Sequence, residues 1–548
     1  GAHRARAMWA ARVFRLAQSS VPAESVAWRR VASFLARLPP RTASQSRAAH
    51  GERGALFAIC ASSAVGAVGL TLAGGPVLAR TRETRQEVYV WGRAEAIPGG
   101  ARRDVLKPMR ASWFEGHAAG WAKIAFGPNF GAALDRNGKL FVWGEGADVD
   151  SYVGPVAVEV LGDAQKRRFV DVQCSSTKIV VLTRRGEAFF LDAPIETLHA
   201  RSKGASTSEP LVFDSRAVPG LPRPGWLSGL WGGGGGIKKM SIGLEHAAFV
   251  STRGELFCIG GNQWGQCGER PPKQKGPMGA LENRERVEVT WPHRVQFPEL
   301  AAPIQDVTVG GCHTIVVDRE GHVFSFGDDR RIQLGLGDTR SGGRDDRHAF
   351  GVLNRDHLGG VKPNAEIKRR VAYRYYDPHM QSSPVETLPP PATNRPPFPP
   401  PTKVACGEDF TIAMHRDSPD WYTPEEETNL LFCCGENGYG QCGRSLQQQQ
   451  QAWSIVRLPK RSRTVDVACG QMHALAVMST GDVYAWGANF HGQVGNGTRA
   501  CVAAPLRIQL QEAVAEEAGA TQAAHRKVVA IACGFRNSAV ICEVPVLD

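Results

Sequence analysis

The sequence lacks the short motifs that usually mark a catalytic centre. Its 548 residues contain no His-Glu-x-x-His zinc-protease helix, no Gly-x-Ser-x-Gly nucleophile elbow and no Walker lysine. No two of the thirteen cysteines have the Cys-x-x-Cys spacing of a zinc site. The sequence therefore predicts a protein that is not an enzyme and that holds neither a metal nor a cofactor.

Acidic residues are nearly absent from the N-terminal extension, residues 1–53. This segment has ten Arg, no Lys and two Glu, so it supplies +8 of the net charge of +12. One face of a possible helix there carries Trp28, Val31, Leu35 and Leu38. An Arg-rich amphipathic extension is typical of mitochondrial targeting, and a surface helix that stays on anionic lipid is the alternative.

Charge is wholly absent from residues 54–79. At about 1.5 Å per residue, a helix of this length exceeds the roughly 30 Å hydrocarbon core of a bilayer. Small residues at i, i+4 spacing permit close helix packing in lipid: Ser62, Gly66, Gly69 and Ala73. We expect a single-pass helix in the lipid bilayer, in the mitochondrial inner membrane. Because both flanks are basic, the side on which the rest of the chain lies stays open.

Two short elements recur along residues 86–545. The first is a β-run that ends in glycine, clearest at Val483–Gly487 and followed by further glycines up to Gly497. The second is a β-run, a glycine, a second β-run and a hairpin turn that leads into a third run, clearest at 467–486. Each element occurs seven times, near the spacing of 40–50 residues of propeller blades. So many copies indicate corners of the fold rather than one ligand loop.

The two counts interlock at the ends of this region. The first β-run, Val88–Gly92, has no partner element before it, and the last partner element, 531–541, has no β-run after it. We therefore predict an all-β fold, a seven-bladed β-propeller. Its ring closes where the segment near 88–91 pairs with the tail near 528–542, and closure removes open sheet edges.

The motif Trp-Gly-x-Asn-x-x-Gly-Gln-x-Gly at 486–495 and the repeated Gly-x-x-His resemble the regulator of chromosome condensation family of propellers. The resemblance spans about 86–545 and is specific in the fourth to seventh repeats. It implies the propeller fold and a broad interaction surface, because some relatives are exchange factors for small GTPases and others are scaffold, chromatin or organellar proteins. The structural repeat residues are Trp91, Gly92, Trp143, Gly144, Gly243, His246, Gly310, His313, Gly407, Gly435, Gly470, His473, Trp486, Gly487 and Gly534.

Cysteines and histidines recur in fixed slots of the repeat. Cys174, Cys406, Cys469 and Cys533 share the slot beside the inner glycine. Copies of one slot fall on different blades and need not lie close together, so we interpret these cysteines as small buried hydrophobes rather than metal ligands. Each histidine of Gly-x-x-His is expected to make a hydrogen bond that ties a blade corner.

Three insertions interrupt the repeats at 193–230, 269–300 and 338–401. The longest ends in a Pro-rich run that favours extended polyproline II. It is either a disordered loop or a strap that docks on a partner. The candidate docking residues are Tyr373, Tyr375, Tyr376 and Phe398.

Two functions from different classes fit these features. The first is an accessory, scaffold or assembly subunit of a mitochondrial inner-membrane complex, of the respiratory chain or ATP synthase, with other protein subunits as partners. The second is a guanine-nucleotide exchange factor for a small GTPase. A role with the mitochondrial ribosome or RNA is a third, but residues 54–548 carry only +4, which argues against nucleic acid.

Overall fold

The computed structural model describes the repeat region with gaps. The described residues are 84–145, 152–162, 164, 167–192, 194–204, 210–223, 235–269, 288–297, 302–336, 380–386, 401–415, 430–445, 453–459, 462–510 and 526–545. The predicted extension 1–53, the predicted membrane helix 54–79 with its four small residues, and the four candidate docking residues lie outside them. Within the described ranges, no helix has the length and apolar character needed to cross a bilayer.

Strands dominate the described residues, and they recur in sets of four. The inner strands are β3 (Trp121–Phe126), β7 (Phe169–Cys174), β11 (Ile237–Ile242), β15 (Ile304–Val309), β19 (Lys403–Cys406), β23 (Thr464–Cys469) and β27 (Lys527–Cys533). The second strands are β4 (Phe130–Asp135), β8 (Lys178–Thr183), β12 (His246–Ser251), β16 (His313–Asp318), β20 (Phe410–His415), β24 (His473–Met478) and β28 (Asn537–Pro545).

The third and outer strands complete the sets. The third strands are β1 (Thr84–Gly92), β5 (Leu140–Glu145), β9 (Ala188–Asp192), β13 (Leu256–Gly261), β17 (Val323–Asp328), β21 (Leu430–Gly435) and β25 (Val483–Gly487). The outer strands are β2 (Val105–Arg110), β6 (Tyr152–Gly162), β10 (Leu211–Ala217), β14 (Glu288–Arg294), β18 (Met380–Glu386), β22 (Ser454–Val456) and β26 (Val502–Ile508). The helices within the described residues are two short 3-10 turns, Ala94–Ala96 and Ser112–Phe114, and α1, Pro194–Gly204.

Four sets form separate antiparallel sheets in chain order, β11–β14, β15–β18, β19–β22 and β23–β26. Two other sets share one eight-stranded sheet in the order β3-β4-β5-β6-β10-β9-β8-β7. They join because β6 is long: its first half pairs with β5, and Val158–Gly162 pairs in parallel with β10. The described residues thus form an all-β, propeller-like fold, and the count of seven blades stays a prediction.

The remaining sheet is built from both ends of the repeat region. Its order is β2-β1-β28-β27, and β1 pairs with β28 along its whole length. Val88 lies opposite Ile541 and Trp91 lies opposite Ser538. The predicted pairing of the segment near 88–91 with the tail is therefore confirmed. The inner strands also contact one another in a closed circuit: β3, β7, β11, β15, β19, β23, β27 and back to β3.

The core lies between neighbouring sheets rather than inside any one of them. The second strands β4, β12, β16, β20 and β24 are buried along their whole length because sheets cover both of their faces. The third strands contribute three fully buried tryptophans, Trp91, Trp143 and Trp486. Aromatic side chains of this size supply a large share of the buried apolar area between sheets.

The insertions contain regular structure that the repeat pattern does not reveal. Helix α1 and β10 lie within 193–230, β14 lies within 269–300, and β18 lies within 338–401. Each of these strands is the outer strand of its set. Described outer strands such as β14 and β26 are largely exposed, so their sequences lack a buried pattern that could identify them.

Candidate interaction face

One face of the ring collects the repeated glycine loops, and we call it the glycine face. It contains the loops that join inner to second strands and the loops that follow third strands. Antiparallel pairing brings these two kinds of loop to one edge of each sheet. Backbone hydrogen bonds join them, as in Gly261 N–H to Glu245 O and Ala488 N–H to Met472 O, both 2.9 Å.

The glycine of Gly-x-x-His leaves space for the ring three residues later. A Cβ on Gly310 would lie 2.1 Å from Cε1 of His313, and one on Gly470 would lie 2.2 Å from Cε1 of His473. Gly407 precedes Phe410 in the same way, and a Cβ on Gly407 would lie 1.9 Å from Cε1 of Phe410. Real Cβ atoms do not approach other atoms this closely, so only glycine fits at these positions.

At other repeat positions glycine is required because a neighbouring sheet lies too close for a Cβ or because φ is positive. A Cβ on Gly243 would lie 2.0 Å from the carbonyl oxygen of Gly310, and one on Gly534 would lie 2.2 Å from Cβ of Phe126. Gly435 and Gly487 each have φ of 106°, a conformation that side-chain-bearing residues rarely adopt. Gly92 and Gly144 hold the corresponding positions at the ends of β1 and β5.

Three histidines connect one sheet to the next through a hydroxyl group. Nε2 of His246 lies 2.7 Å from Oγ1 of Thr314, which itself donates to the carbonyl of Gln266 at 2.8 Å. Since the hydroxyl proton goes to that carbonyl, Nε2 carries the imidazole proton and donates to the hydroxyl. The other two histidines bond in the same way: His313 with Thr411 and Gln333, and His473 with Ser538 and Gln493.

Burial keeps these histidines uncharged. It lowers the pKa of His246 and of His313 to about 3 and that of His473 to about 4. These neutral imidazoles bond to hydroxyl groups of the next sheet and do not change charge near neutral pH.

The tryptophans of the third strands anchor on the same glycine loops. Nε1 of Trp486 donates to the carbonyl of Gln441 at 2.9 Å, and Nε1 of Trp91 donates to that of Gln493 at 2.8 Å. Trp143 makes the equivalent bond to the carbonyl of Ala96 at 2.8 Å. In each case the acceptor belongs to the preceding sheet, so the loop both turns the chain and clamps its neighbour.

One loop of the glycine face departs from the repeat. Ile332 occupies the place that Gly265, Gly440 and Gly492 hold in other copies, with φ of 63°. Among the described residues it is the sole non-glycine with positive φ. A β-branched residue in this conformation is strained, and such strain concentrates at functional sites.

Charged side chains surround this loop. Arg330 makes a bidentate ion pair with Asp328 at 2.9–3.1 Å. Its guanidinium group also stacks on Trp264, 3.8 Å from the ring centre. Arg331 reaches Glu436 of the next sheet at 3.0 Å. Arginines that are fixed in this way present a rigid, charged surface at low entropic cost.

Two adjacent carboxyl groups lie near the arginines: Glu408 lines the cavity at the ends of the inner strands, and Asp409 lines a separate pocket with Asp328, Arg330 and Arg331. Burial, followed by the nearby Glu408 and Asp328, raises the pKa of Asp409 to about 6. Burial also raises the pKa of Glu408. These residues fill the variable positions between the glycine and the aromatic residue of one repeat. Sequence reasoning missed them because only the fixed positions of the motif stood out.

An exposed aromatic pair lies on the same face. Tyr439 and Phe490 meet edge to face at 5.2 Å, and they are 38% and 48% exposed. We call Trp264, Arg330, Arg331, Glu408, Asp409, Tyr439 and Phe490 the charged sector. Arginine and aromatic residues are enriched at the centres of protein interfaces.

The cysteines of the inner slot line one cavity instead of lying apart. Cys174, Cys406, Cys469 and Cys533 all face the central opening at the glycine face, together with the repeat glycines. Burial raises the pKa of each thiol, to about 12 for Cys406. Protonated thiols are poor metal ligands, and the described residues contain no cluster of three or more metal-binding side chains.

Comparison with known proteins agrees with this architecture. The sequence family described as "Regulator of chromosome condensation (RCC1) repeat" matches residues 253–317, 429–477 and 480–541, and a second family of that description matches 464–493. The chain therefore carries repeats of this type and has the propeller-like fold of proteins built from them.

Curated relatives share modest identity. The E3 ubiquitin-protein ligase HERC2 of Homo sapiens is 25% identical over 302 residues, which cover 55% of this chain and 5% of HERC2. The ultraviolet-B receptor UVR8 of Arabidopsis thaliana is 24% identical over 428 residues, which cover 75% of this chain and 74% of the receptor. The chain thus spans a small part of HERC2 but most of UVR8.

Two solved structures share the fold. Human WBSCR16 superposes with a TM-score of 0.54 at 16% identity, covering 85% of this chain and 100% of that one. Prp20p from Saccharomyces cerevisiae has a TM-score of 0.54 at 15% identity, covering 85% of this chain and 92% of that one. The structure of Prp20p was reported with its binding to Gsp1p and histones.

Proposed function

We propose that the propeller is a docking platform whose glycine face binds a small GTPase and promotes release of its nucleotide. The observation that carries this proposal is the charged sector, where fixed arginines, perturbed carboxyl groups and exposed aromatics lie together. The reported binding of Prp20p to Gsp1p supports a protein partner for this fold. Exchange needs neither covalent catalysis nor a protein-bound metal, and the described residues contain no metal-binding cluster.

The mechanism is differential binding. A platform that binds the nucleotide-free GTPase more tightly than the loaded form lowers nucleotide affinity by the same factor, because the coupling is reciprocal. Arg331 and Asp409 supply opposite charges in one surface pocket, while Tyr439 and Phe490 supply apolar area. Charges steer the encounter, and desolvated aromatics hold the complex.

The test is release of a fluorescent guanine nucleotide from candidate small GTPases. Asp409→Asn and Arg331→Ala should each slow the stimulated release by about tenfold, as expected for residues near an interface centre. Glu320→Gln, in the exposed turn after β16 on the opposite face, is the matched control and should leave release unchanged. Wild-type protein that accelerates release from no small GTPase would overturn the proposal.

The second candidate is an accessory or assembly subunit of a mitochondrial inner-membrane complex, of the respiratory chain or ATP synthase. It rests on the Arg-rich residues 1–53 and the uncharged residues 54–79. A resident of that membrane should fractionate with it and resist carbonate extraction. Mass spectrometry of the band that contains the chain on a native gel would name the complex, and migration as a monomer would count against this function.

We also infer that the ring has seven blades. Each inner strand in the closed circuit marks one blade, and the eight-stranded sheet counts as two blades that share the β6–β10 pairing. The sheet of β2, β1, β28 and β27 then completes the ring. An experimental structure with any other number of four-stranded units would refute the inference.

A further inference from the structure

The inner strands carry charged residues at one equivalent position. This position lies three residues before the strand-end residue that faces the cavity, for example Lys403 before Cys406. In six of the seven strands it is also the first residue to resume pairing after a shift in register, as at Lys239 opposite Val250. The equivalence therefore rests on backbone register and not on sequence alignment alone.

The sign of the charge alternates around the circuit. Taken in ring order from β3 to β27, the position holds Lys123, Asp171, Lys239, Asp306, Lys403, Asp466 and Ala530. We call the six charged residues the collar. The positive and negative members are equal in number, so the collar is neutral overall.

Three ion pairs in the collar bridge adjacent inner strands. They are Lys123 with Asp171, Lys239 with Asp306, and Lys403 with Asp466. Each pair joins two different sheets, and the side chains are 11–40% exposed. Charges that are partly shielded from solvent interact over a longer range than fully exposed charges.

The sign of the charge cannot alternate strictly around a closed circuit with an odd number of positions. With seven positions, strict alternation would set two like charges side by side where the ring closes. The neutral Ala530 lies at that place, between Asp466 on β23 and Lys123 on β3. It also lies in the sheet that both ends of the repeat region build together. The charge pattern and the chain closure thus share one location.

Separate ion pairs would not require this order. An isolated, partly exposed pair contributes about 0–1 kcal/mol whichever partner is positive. Independent pairs could therefore have either orientation without any cost at the unbridged junctions. Alternation through all three pairs also gives opposite charges across the β7–β11 and β15–β19 junctions, where no collar ion pair forms among the described residues.

We propose that the six collar charges act as one device that specifies the neighbour of each sheet and leaves the closing sheet neutral. A sheet in the wrong place would put like charges next to each other in the channel. The collar therefore favours the native order of sheets over other arrangements of similar repeats. Repeats that resemble one another need such a device, because their apolar surfaces alone distinguish neighbours poorly.

Charge reversals separate a coupled collar from independent pairs. Lys239→Asp alone should lower the urea midpoint. Lys239→Asp with Asp306→Lys restores that pair but places a carboxylate beside Asp171 and an ammonium group beside Lys403. This double variant should regain only about half of the lost midpoint at low salt. Reversal of all six charges should regain nearly all of it, since alternation is restored.

Two controls make the result decisive. Reversal of the exposed Arg507–Asp482 pair outside the channel should show full recovery in its double variant. High salt should remove the difference in urea midpoint between the wild type and the variant with Lys239→Asp and Asp306→Lys. In the swapped background Asp171→Asn should raise the midpoint, whereas in the wild type it should lower it. A one-pair swap as stable as the wild type, or a six-charge reversal that does not fold, would overturn the proposal.

Discussion

Five of the seven second strands begin with a histidine or a phenylalanine that packs against the next sheet, and the other two begin with Lys178 and Asn537. At the histidine junctions, His246, His313 and His473 face Thr314, Thr411 and Ser538. At the phenylalanine junctions, Phe130 shares a core cluster with Ile179, and Phe410 shares one with Ala474. A hydroxyl group thus occurs where the preceding sheet presents an imidazole and is missing where it presents a phenyl ring.

This difference shows how repeats that look alike keep a fixed order. Where this position holds a histidine, the residue opposite it on the next sheet carries a hydroxyl group, and where it holds a phenylalanine, that residue is apolar. A buried imidazole N–H without an acceptor would cost about 1–3 kcal/mol, whereas a buried hydroxyl against a phenyl ring keeps its bond to the loop carbonyl and loses only the imidazole donor. Mismatched neighbours are therefore unfavourable even when shape and size agree.

The largest loss of stability should come from a substitution that fills the space occupied by the Phe410 side chain. Gly407→Ala places a methyl group 1.9 Å from the Phe410 ring, so we expect a loss of about 3 kcal/mol in the free energy of unfolding. Gly154→Ala in β6 is the control, since no atom lies within 4 Å of its Cβ. Urea denaturation of both variants measures the difference. Equal stability of the two would contradict the steric role of the motif glycine.

Mismatching a junction should have the next largest effect. Thr411→Val keeps the shape but removes the acceptor of His313, so the free energy of unfolding should fall by about 1–3 kcal/mol. Ala474→Ser adds a hydroxyl group beside Phe410 and should also destabilise. If either substitution left the denaturation midpoint unchanged, the two kinds of junction would not differ in the way described.

The histidine junctions should also make stability depend on pH. The unfolded histidines have a pKa near 6.5, whereas burial lowers the folded values to about 3–4, so the unfolded state binds more protons between these limits. The free energy of unfolding should therefore fall as the pH drops from 6.5 towards 4, by about 1.4 kcal/mol per pH unit for each histidine. A variant with His313→Phe and Thr411→Ala should have a correspondingly shallower slope. An unchanged slope would show that His313 is not buried in its neutral form.

Much of the fold could be predicted from the sequence because its signals are local. Short β-runs that end in glycine, such as Val483–Gly487, repeat with little change, and the unpaired elements at each end indicated where the ring closes. The outer strands could not be predicted in this way, since an exposed strand such as β14 needs no apolar pattern. The sharing of one sheet through Val158–Gly162 depends on a strand from a later repeat, so no local signal announces it.

The candidate site was harder to predict. Its members, among them Arg331, Asp409 and Phe490, occupy variable positions, and they come together from loops of four different sheets. The shift in the pKa of Asp409 depends on burial and on neighbours distant in sequence. Ile332 stands where other copies of the repeat have glycine, and this was the one local signal in the sequence that could have drawn attention to the charged sector.

A double-mutant cycle on His313 and Thr411 tests most directly whether matched partners hold the sheets in order. His313→Phe and Thr411→Ala each leave one buried polar group without its partner, while the double variant recreates the phenylalanine type of junction. The free energies of unfolding should show an interaction of about 1 kcal/mol or more, with the double variant more stable than the sum of the single losses implies. Strictly additive losses would contradict the account.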